Sequence, residues 1–380
     1  MDSLSDLQLQ LLIRAPGSGI PAFSAGVGAD LITQRRYYAA IHEDQAHRAD
    51  RDWVKKIWLI ELLKIRQDFE GVVILGVPSD TGGGIRRGAA LGPRFLRERL
   101  AEHPKFQELW KQGLVVDAGD VYCHPQLLLD EMLSSEQIEK CRSGMYGDSS
   151  SARGLPVSPL SVQKTVLETL YARAPRCKVL VLGGDHSVAW PTTQVLTERY
   201  PDLAIIQLDA HTDLLDSRLG IDVCFGSWSS HAARMLKTPA HLIQVGIRQS
   251  GNDRGHWEKT KGVVQIWGDQ CEKLSPESLA KLICEKIRAT GSRNVFLSND
   301  IDGTDATYAS ATGTPAAGGL MPKQVIHLIR ELGKQFQLVG ADLCEVAPAL
   351  GPDDSSRVQT GKVSASYLVS SIRSMLGDVP

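Results

Sequence analysis

The sequence predicts an α/β protein: a single three-layer α/β/α domain on a mostly parallel sheet, preceded by an N-terminal extension. Three observations carry this. From Gly71 onward, short β-branched runs bounded by Gly, Pro or Asp alternate with longer segments of helical periodicity. Several of the runs are nearly continuously apolar, as strands covered on both faces should be. Strand–helix alternation of this kind builds parallel sheets, because each parallel pair needs a crossover.

Residues 1–70 read as the extension. "RAPGSGIPAFSAG" (Arg14–Gly26) is rich in Gly, Pro and Ser and reads as loop. The following stretch from Asp50 to Gly71 spaces Val54, Ile57, Trp58, Leu62, Ile65 and Phe69 as one helical face, for packing on its own domain or on another subunit. Residues 71–380 read as the main domain. Its strand candidates are Val72–Val77, Val179–Leu182, Leu203–Leu208, Leu242–Val245, Val263–Ile266, Val295–Leu297 and Gln337–Val339. Helical segments such as Pro276–Thr290 and Pro322–Phe336 lie between them. Ser134–Pro159 is polar and Gly/Ser-rich, and reads as a surface insertion. No internal repeat is visible.

Composition narrows the class. The 380 residues, 42% hydrophobic and 23% charged, are those of an ordinary soluble globular protein. A net charge of −2 offers no basic footprint, so nucleic acid is not the expected partner. The seven cysteines are dispersed without a CxxC pair, which reads as reduced thiols in a cytoplasmic protein. The apolar run Leu7–Ile13 is short and interrupted by Gln8 and Gln10, so neither a signal peptide nor a membrane anchor is expected.

Sites in open α/β sheets collect at the carboxyl ends of strands, and there this chain is unusual. "GGDHS" follows Val179–Leu182 and brings His186. "DAHTD" follows Leu203–Leu208 and brings Asp209, His211 and Asp213. "SNDIDGTD" follows Val295–Leu297 and brings Asp300 and Asp302. "GADLCEVAP" follows Gln337–Val339 and brings Asp342 and Glu345. In extended chain, residues i, i+2 and i+4 share a face, so Asp209, His211 and Asp213 can converge, as can Asp300 and Asp302. Taken singly, each motif has a plain explanation: an Asp after a strand commonly caps the next helix. Together, the four aspartates would repel by about 4 kcal/mol per pair at 4 Å and an effective dielectric of about 20. Two divalent ions would balance the four negative charges. With His186 and His211 the donor set is oxygen-rich with some imidazole, which suits Mn²⁺ and accepts Ni²⁺, Co²⁺ or Zn²⁺. The cysteine spacing of a structural zinc site is absent.

These blocks carry a resemblance. "GGDHS" (Gly183–Ser187), "DAHTD" (Asp209–Asp213), "SNDIDGTD…SATGTPAAGGL" (Ser298–Leu320) and "GADLCEVAPALG" (Gly340–Gly351) are similar, in order, to the signature blocks of the ureohydrolases, the arginase and agmatinase family. "GVPSDTGGGIRRGAALGPRFLR" (Gly76–Arg97) resembles that family's opening strand and Gly-rich loop. The resemblance spans roughly residues 71–375 and implies an arginase-like fold. It implies that His186, Asp209, His211, Asp213, Asp300 and Asp302 hold two metal ions, Mn²⁺ or Ni²⁺. It implies that Asp213 takes a proton from the attacking water, that Glu345 grips the guanidinium of a small substrate, and that Thr314 lines the pocket. It also implies a homo-oligomer, a trimer or hexamer. A guanidinium is planar and permanently charged, with a pKa of about 12.5–13.8. Its hydrolysis therefore needs a metal-activated water, a carboxylate such as Glu345 to orient two N–H groups, and a proton carrier such as Asp213.

The chain departs from the family after "DAHTD". Arginase-like sequences carry an Asn soon after that motif and then a His-Gly pair whose histidine assists proton transfer. Here "LLDSRLGIDVCFGSWSSHAARML" places Phe225-Gly226 at that pair, with Trp228 next; His231 is a stand-in candidate. "SND" also replaces the usual "SFD". Two aromatics at the pocket, Phe225 and Trp228, would narrow the channel that admits an aliphatic tail. Free guanidine is therefore the favoured substrate, and the extension resembles that of guanidine-hydrolysing members. The alternative is agmatine or a guanidino acid such as guanidinobutyrate. Remoter alternatives are a single-zinc deacetylase-type amidohydrolase and an inactive partner subunit.

Overall fold

The computed structural model describes residues 4–20, 37, 38 and 51–377. Nine strands are present among them: β1 (Ile13–Arg14), β2 (Val72–Val77), β3 (Val115–Val121), β4 (Lys178–Gly183), β5 (Ala204–Leu208), β6 (Leu242–Ile247), β7 (Val264–Trp267), β8 (Asn294–Asn299) and β9 (Gln337–Leu343). They form a mostly parallel sheet in the order β1-β3-β2-β4-β9-β8-β5-β6-β7, with helices on both sides, the three-layer α/β/α fold expected. The apolar strand candidates all became strands, because continuous burial of Val, Ile and Leu is what this environment selects. Two strands escaped the sequence reading. β1 is only two residues long, and β3 has its apolar run broken by Asp117, Gly119 and Asp120. No helix among the described residues is long and apolar enough to cross a membrane.

The chain divides into two compact units, Met1–Thr81 with Pro93–Leu182, and Gly82–Gly92 with Gly183–Pro380. In the first, β2 and β3 run parallel, and β1 pairs antiparallel with β3 through Ile13↔Val121. The acids that broke the β3 pattern are buried and share one buried cation, Arg97. Its Nε donates to Asp117 Oδ2 at 2.7 Å and Nη2 to Asp117 Oδ1 at 2.9 Å, while Nη1 pairs with Asp120. N-terminal residues complete the cluster: Tyr37 Oη donates to Asp117 at 2.7 Å, and the Gly17 and Gly19 amides donate to Asp120 Oδ2 at 2.8 and 3.3 Å.

The helical face expected up to Phe69 stops earlier. The helix covers Arg51–Leu62 and buries Val54, Trp58 and Leu62, whereas Ile65 is buried from the turn beyond it. Of the loop expected over Arg14–Gly26, Arg14 belongs to β1, and residues 21–26 lie outside the described residues. The segment read as a polar insertion contains a helix, Ser135–Tyr146. Ser134 and Gln137 close a capping box at its start, so local satisfaction of amides replaces an apolar face.

In the second unit β9, β8, β5, β6 and β7 are parallel neighbours, with Leu208 opposite Asn299 and Val245. β8 and β9 continue past the predicted ends, so Asp342 lies inside a strand rather than after one. The helices Pro322–Gln335 and Asp354–Met375 approach closely where Gly333 faces Ser374: a Cβ there would stand 2.5 Å from Ser374 Cβ.

Candidate metal centre

The register of β5 and β8 starts the two acidic motifs side by side. Asp209 N still donates to Val245 O (3.1 Å) and Asp300 N to Leu208 O (2.9 Å), so both ladders end one residue into the site. The residues beyond converge by turns rather than by strand alternation. Asp300 caps a 3₁₀ turn over Ile301–Gly303, accepting from Asp302 N at 2.9 Å. Asp213 takes the left-handed backbone, φ +52°, uncommon for a residue other than glycine and concentrated at functional sites. Gly303 permits the close approach: a Cβ there would lie 2.6 Å from Asp209 N. His186 comes from the turn after β4, where Asp185 accepts from Ser187 N at 2.9 Å.

All six predicted ligands meet. His186 Nδ1 lies 3.1 Å from Asp209 Oδ2, 3.2 Å from Asp213 Oδ2 and 3.4 Å from Asp300 Oδ2. His211 Nδ1 lies 3.2 Å from Asp302 Oδ2 and 3.5 Å from Asp209 Oδ1. His186, Asp209 and Asp300 form one donor triad, and Asp209, His211 and Asp302 a second that shares Asp209. Two triads with one common carboxylate suit a pair of cations better than a single zinc. A third grouping of His186, Asp342 and Cys344 is a weaker candidate: the Cys344 thiol is pushed far up by burial, then by Asp342.

Electrostatics says the same. Burial and then the Asp209 charge raise the Asp213 carboxyl to about 6. Burial, then Asp302 and Asp209, push Asp300 far above the usual carboxylate range. Burial alone would lower the histidines, but neighbouring carboxylates overrule it, raising His186 well above its usual value and His211 to about 12. The cluster, in other words, lacks positive charge.

The donor chemistry fits metal ions. Ser298 Oγ donates to Asp342 (3.0 Å to Oδ1), which leaves its lone pair to accept from His186 Nε2–H at 2.9 Å. In the neutral form that a cation requires, the ring would keep its proton on Nε2 and offer the lone pair of Nδ1 to the ion. Buried Nδ1 makes no hydrogen bond of good geometry, so it is an aimed and unsatisfied atom.

The expected substrate residues divide. Glu345 also sits at positive φ, +61°, and its Oε1 accepts from His186 N at 3.0 Å. Exposed Thr314 donates to Asp302 Oδ2 at 2.7 Å. Phe225 is half-buried, its N donates to Gly82 O at 3.0 Å, and its ring abuts Gly84, where a Cβ would be 3.5 Å from Cζ. Trp228 behaves differently from a pocket wall. It is wholly buried, its ring tilted by 51° against that of His186 with centroids 4.8 Å apart, and its Nε1 donates to Asp213 Oδ2 at 3.0 Å. His231 is engaged elsewhere, with Asp222 O at 2.8 Å and Arg234 at 2.9 Å.

Sequence reasoning missed several supports. Gln207 Nε2 donates to Asp209 Oδ2 at 2.7 Å. Arg248 Nη2 donates to the carbonyls of Asp302 and Ala316 at 2.7 and 2.9 Å, pinning the loop that bears Thr314. A lone polar residue in an apolar strand was the only signal for Gln207, and nothing local marked Arg248.

Residues 70–372 match the Arginase family. The chain is 32% identical over 298 residues to a mitochondrial agmatinase of Gallus gallus, covering 75% of this chain and 77% of that protein. It is 30% identical to a mitochondrial guanidino acid hydrolase of Homo sapiens, covering 75% and 74%. Its fold is similar to the solved proclavaminate amidino hydrolase of Streptomyces clavuligerus, with a TM-score of 0.62 and 26% identity over 81% of this chain and 95% of that one.

Proposed function

Because the chain belongs to the arginase family and is an enzyme of the ureohydrolase type, we propose that it hydrolyses free guanidine to urea and ammonium in the cytoplasm, as a homo-oligomer carrying Mn²⁺ or Ni²⁺. The observation that carries the substrate reading is Phe225, whose partly exposed ring lies against Gly84 at the position where the family places a histidine. A phenyl ring there is larger than the family's imidazole and offers no hydrogen bond to the polar end of a longer substrate. The seven free cysteines suit a reducing compartment.

His186, Asp209, His211, Asp213, Asp300 and Asp302 would hold the cations. When bound, such a pair lowers the pKa of water from about 15.7 towards roughly 7 and supplies a nucleophile at neutral pH. The chain's own residues do the rest. Glu345 has Oε1 committed to the His186 amide, which leaves Oε2 to accept a guanidinium N–H. Asp213 has Oδ2 committed to Trp228, so Oδ1 is the oxygen free to take a proton from water and return it to the departing nitrogen. One C–N bond is replaced by C–O, and guanidinium plus water becomes urea plus ammonium.

The second reading, agmatine or a guanidino acid, is favoured by the names of the relatives. Urea release from guanidine, agmatine, guanidinobutyrate and arginine, each with Mn²⁺ and with Ni²⁺, decides between them. The expected result is turnover of guanidine above all others. Agmatine in first place would select the second reading, and no urea from any of them with two ions bound would remove both. One Zn²⁺ per chain, with deacylation, would point to the deacetylase class.

A further inference from the structure

Three glutamines stand at matched positions on adjacent strands of the second unit: Gln207 on β5 pairs with Gln244 on β6, and Gln244 with Gln265 on β7. Paired residues of parallel neighbours project to one face. All three are at most 1% exposed. Their amides form a directed chain. Trp267 Nε1 donates to Gln265 Oε1 at 2.9 Å, Gln265 Nε2 to Gln244 Oε1 at 2.8 Å, and Gln244 Nε2 to Gln207 Oε1 at 2.7 Å. Gln207 Nε2 then donates to Asp209 Oδ2 at 2.7 Å. Ser229 Oγ gives Gln207 Oε1 a second donor at 2.7 Å.

A primary amide can be turned over, so such a chain has two directions, but its ends allow only one. An indole N–H only donates and an ionised carboxylate only accepts. Every amide oxygen must face Trp267 and every NH₂ must face Asp209. Bonds aligned head to tail also polarise one another in a buried setting. We infer that the Trp267–Gln265–Gln244–Gln207 chain is a positioning device for Asp209, the carboxylate common to both donor triads. It commits one lone pair of Oδ2, while Oδ1 accepts from His211 N at 2.7 Å, so the carboxylate plane is set before a cation arrives. Because Asp209 serves both triads, a tilt there is felt at both. This inference rests on reading the triads as metal ligands.

Metal affinity tests it without any substrate. The full-length protein, stripped of metal, is titrated calorimetrically with Mn²⁺ and with Ni²⁺, and compared with Gln207→Leu, Gln244→Leu, Gln265→Leu and Trp267→Phe. Loss of an outer hydrogen bond to a ligand typically weakens metal binding about 10–100-fold, and Gln207→Leu should fall in that range. Gln265→Leu, which touches neither a ligand nor the ligand loop, should lose about tenfold; Gln244→Leu, which also frees the Thr212 carbonyl it holds at 2.5 Å, should lose at least as much, and Trp267→Phe several-fold, with far-ultraviolet circular dichroism unchanged. Should Gln244→Leu not fold, Trp267→Phe at the strand's half-buried end decides alone. Variant affinities within twofold of wild type, beside a wild type that binds two ions, would overturn the chain and leave the metal reading standing. A wild type that binds no pair would overturn the metal reading, and the chain's role with it.

Discussion

Trp228→Phe is the sharpest perturbation of the centre. Phenylalanine keeps an aromatic ring beside His186 and removes the indole N–H that donates to Asp213 Oδ2 at 3.0 Å. Hydrogen bonds to charged groups are worth about 1.5–3 kcal/mol. Every 1.36 kcal/mol is a factor of ten in rate. If Asp213 must be held to carry its proton, kcat should fall about 10- to 150-fold. KM should move by less than about threefold, because Trp228 is buried away from any pocket surface. Steady-state urea release, with metal content measured on the same sample, gives both numbers. In an Asp213→Asn background the second substitution should cost little more, since the amide still accepts the indole N–H but can no longer carry a proton. A kcat within about threefold of wild type, with both ions bound, would show that the bond does not hold Asp213 for the reaction. A large loss repeated in full on Asp213→Asn would show that Trp228 acts through packing alone.

Asp300→Asn should leave the fold intact and abolish stoichiometric uptake of two ions, checked by elemental analysis after gel filtration. The raised Asp213 carboxyl, at about 6 against an ordinary 3.8, fixes a pH dependence. Without metal, its contribution to stability is complete below the ordinary value and is lost as pH rises through about 6. Metal needs the ionised form, so the rise in Tm on adding Mn²⁺ should grow between pH 5 and 7, and a flat difference would contradict the assignment. Arg97→Met leaves Asp117 and Asp120 buried without their cation and should cost about 3–5 kcal/mol in urea unfolding. Gly333→Ala puts a Cβ 2.5 Å from Ser374 Cβ and should cost about 1–3 kcal/mol by the same measurement, with metal affinity unchanged.

The strands that carry the site were legible because burial on both faces writes itself as consecutive Val, Ile and Leu. The candidate ligands were legible because ionisable residues cluster at strand ends only where something offsets their repulsion. β3 was not: Asp117 and Asp120 look like loop until Arg97, on another element, is brought to them. The route by which Asp302 and Asp213 reach the centre was also hidden. A 3₁₀ turn and a left-handed residue do the work that alternation was expected to do. Gln207, Gln244 and Gln265 were invisible for a third reason. Each is one polar letter in an apolar run, and its meaning comes from sheet register, which no single strand encodes.

The segment that supplies Gly17 and Gly19 to the Arg97 cluster also lies along β3. Ile13 and Arg14 pair with Val121 and Asp120, Tyr122 N donates to Leu12 O at 2.8 Å, and Cys123 N donates to Gly19 O at 2.9 Å. An uncovered strand of a large sheet is a template for any other extended chain. Here β1, fastened by the Gly17 and Gly19 amides to buried Asp120, covers that edge of β3. Trimming the chain to residue 20 would therefore show first as filaments or precipitate on concentration, before any slowing of turnover in what stays dissolved.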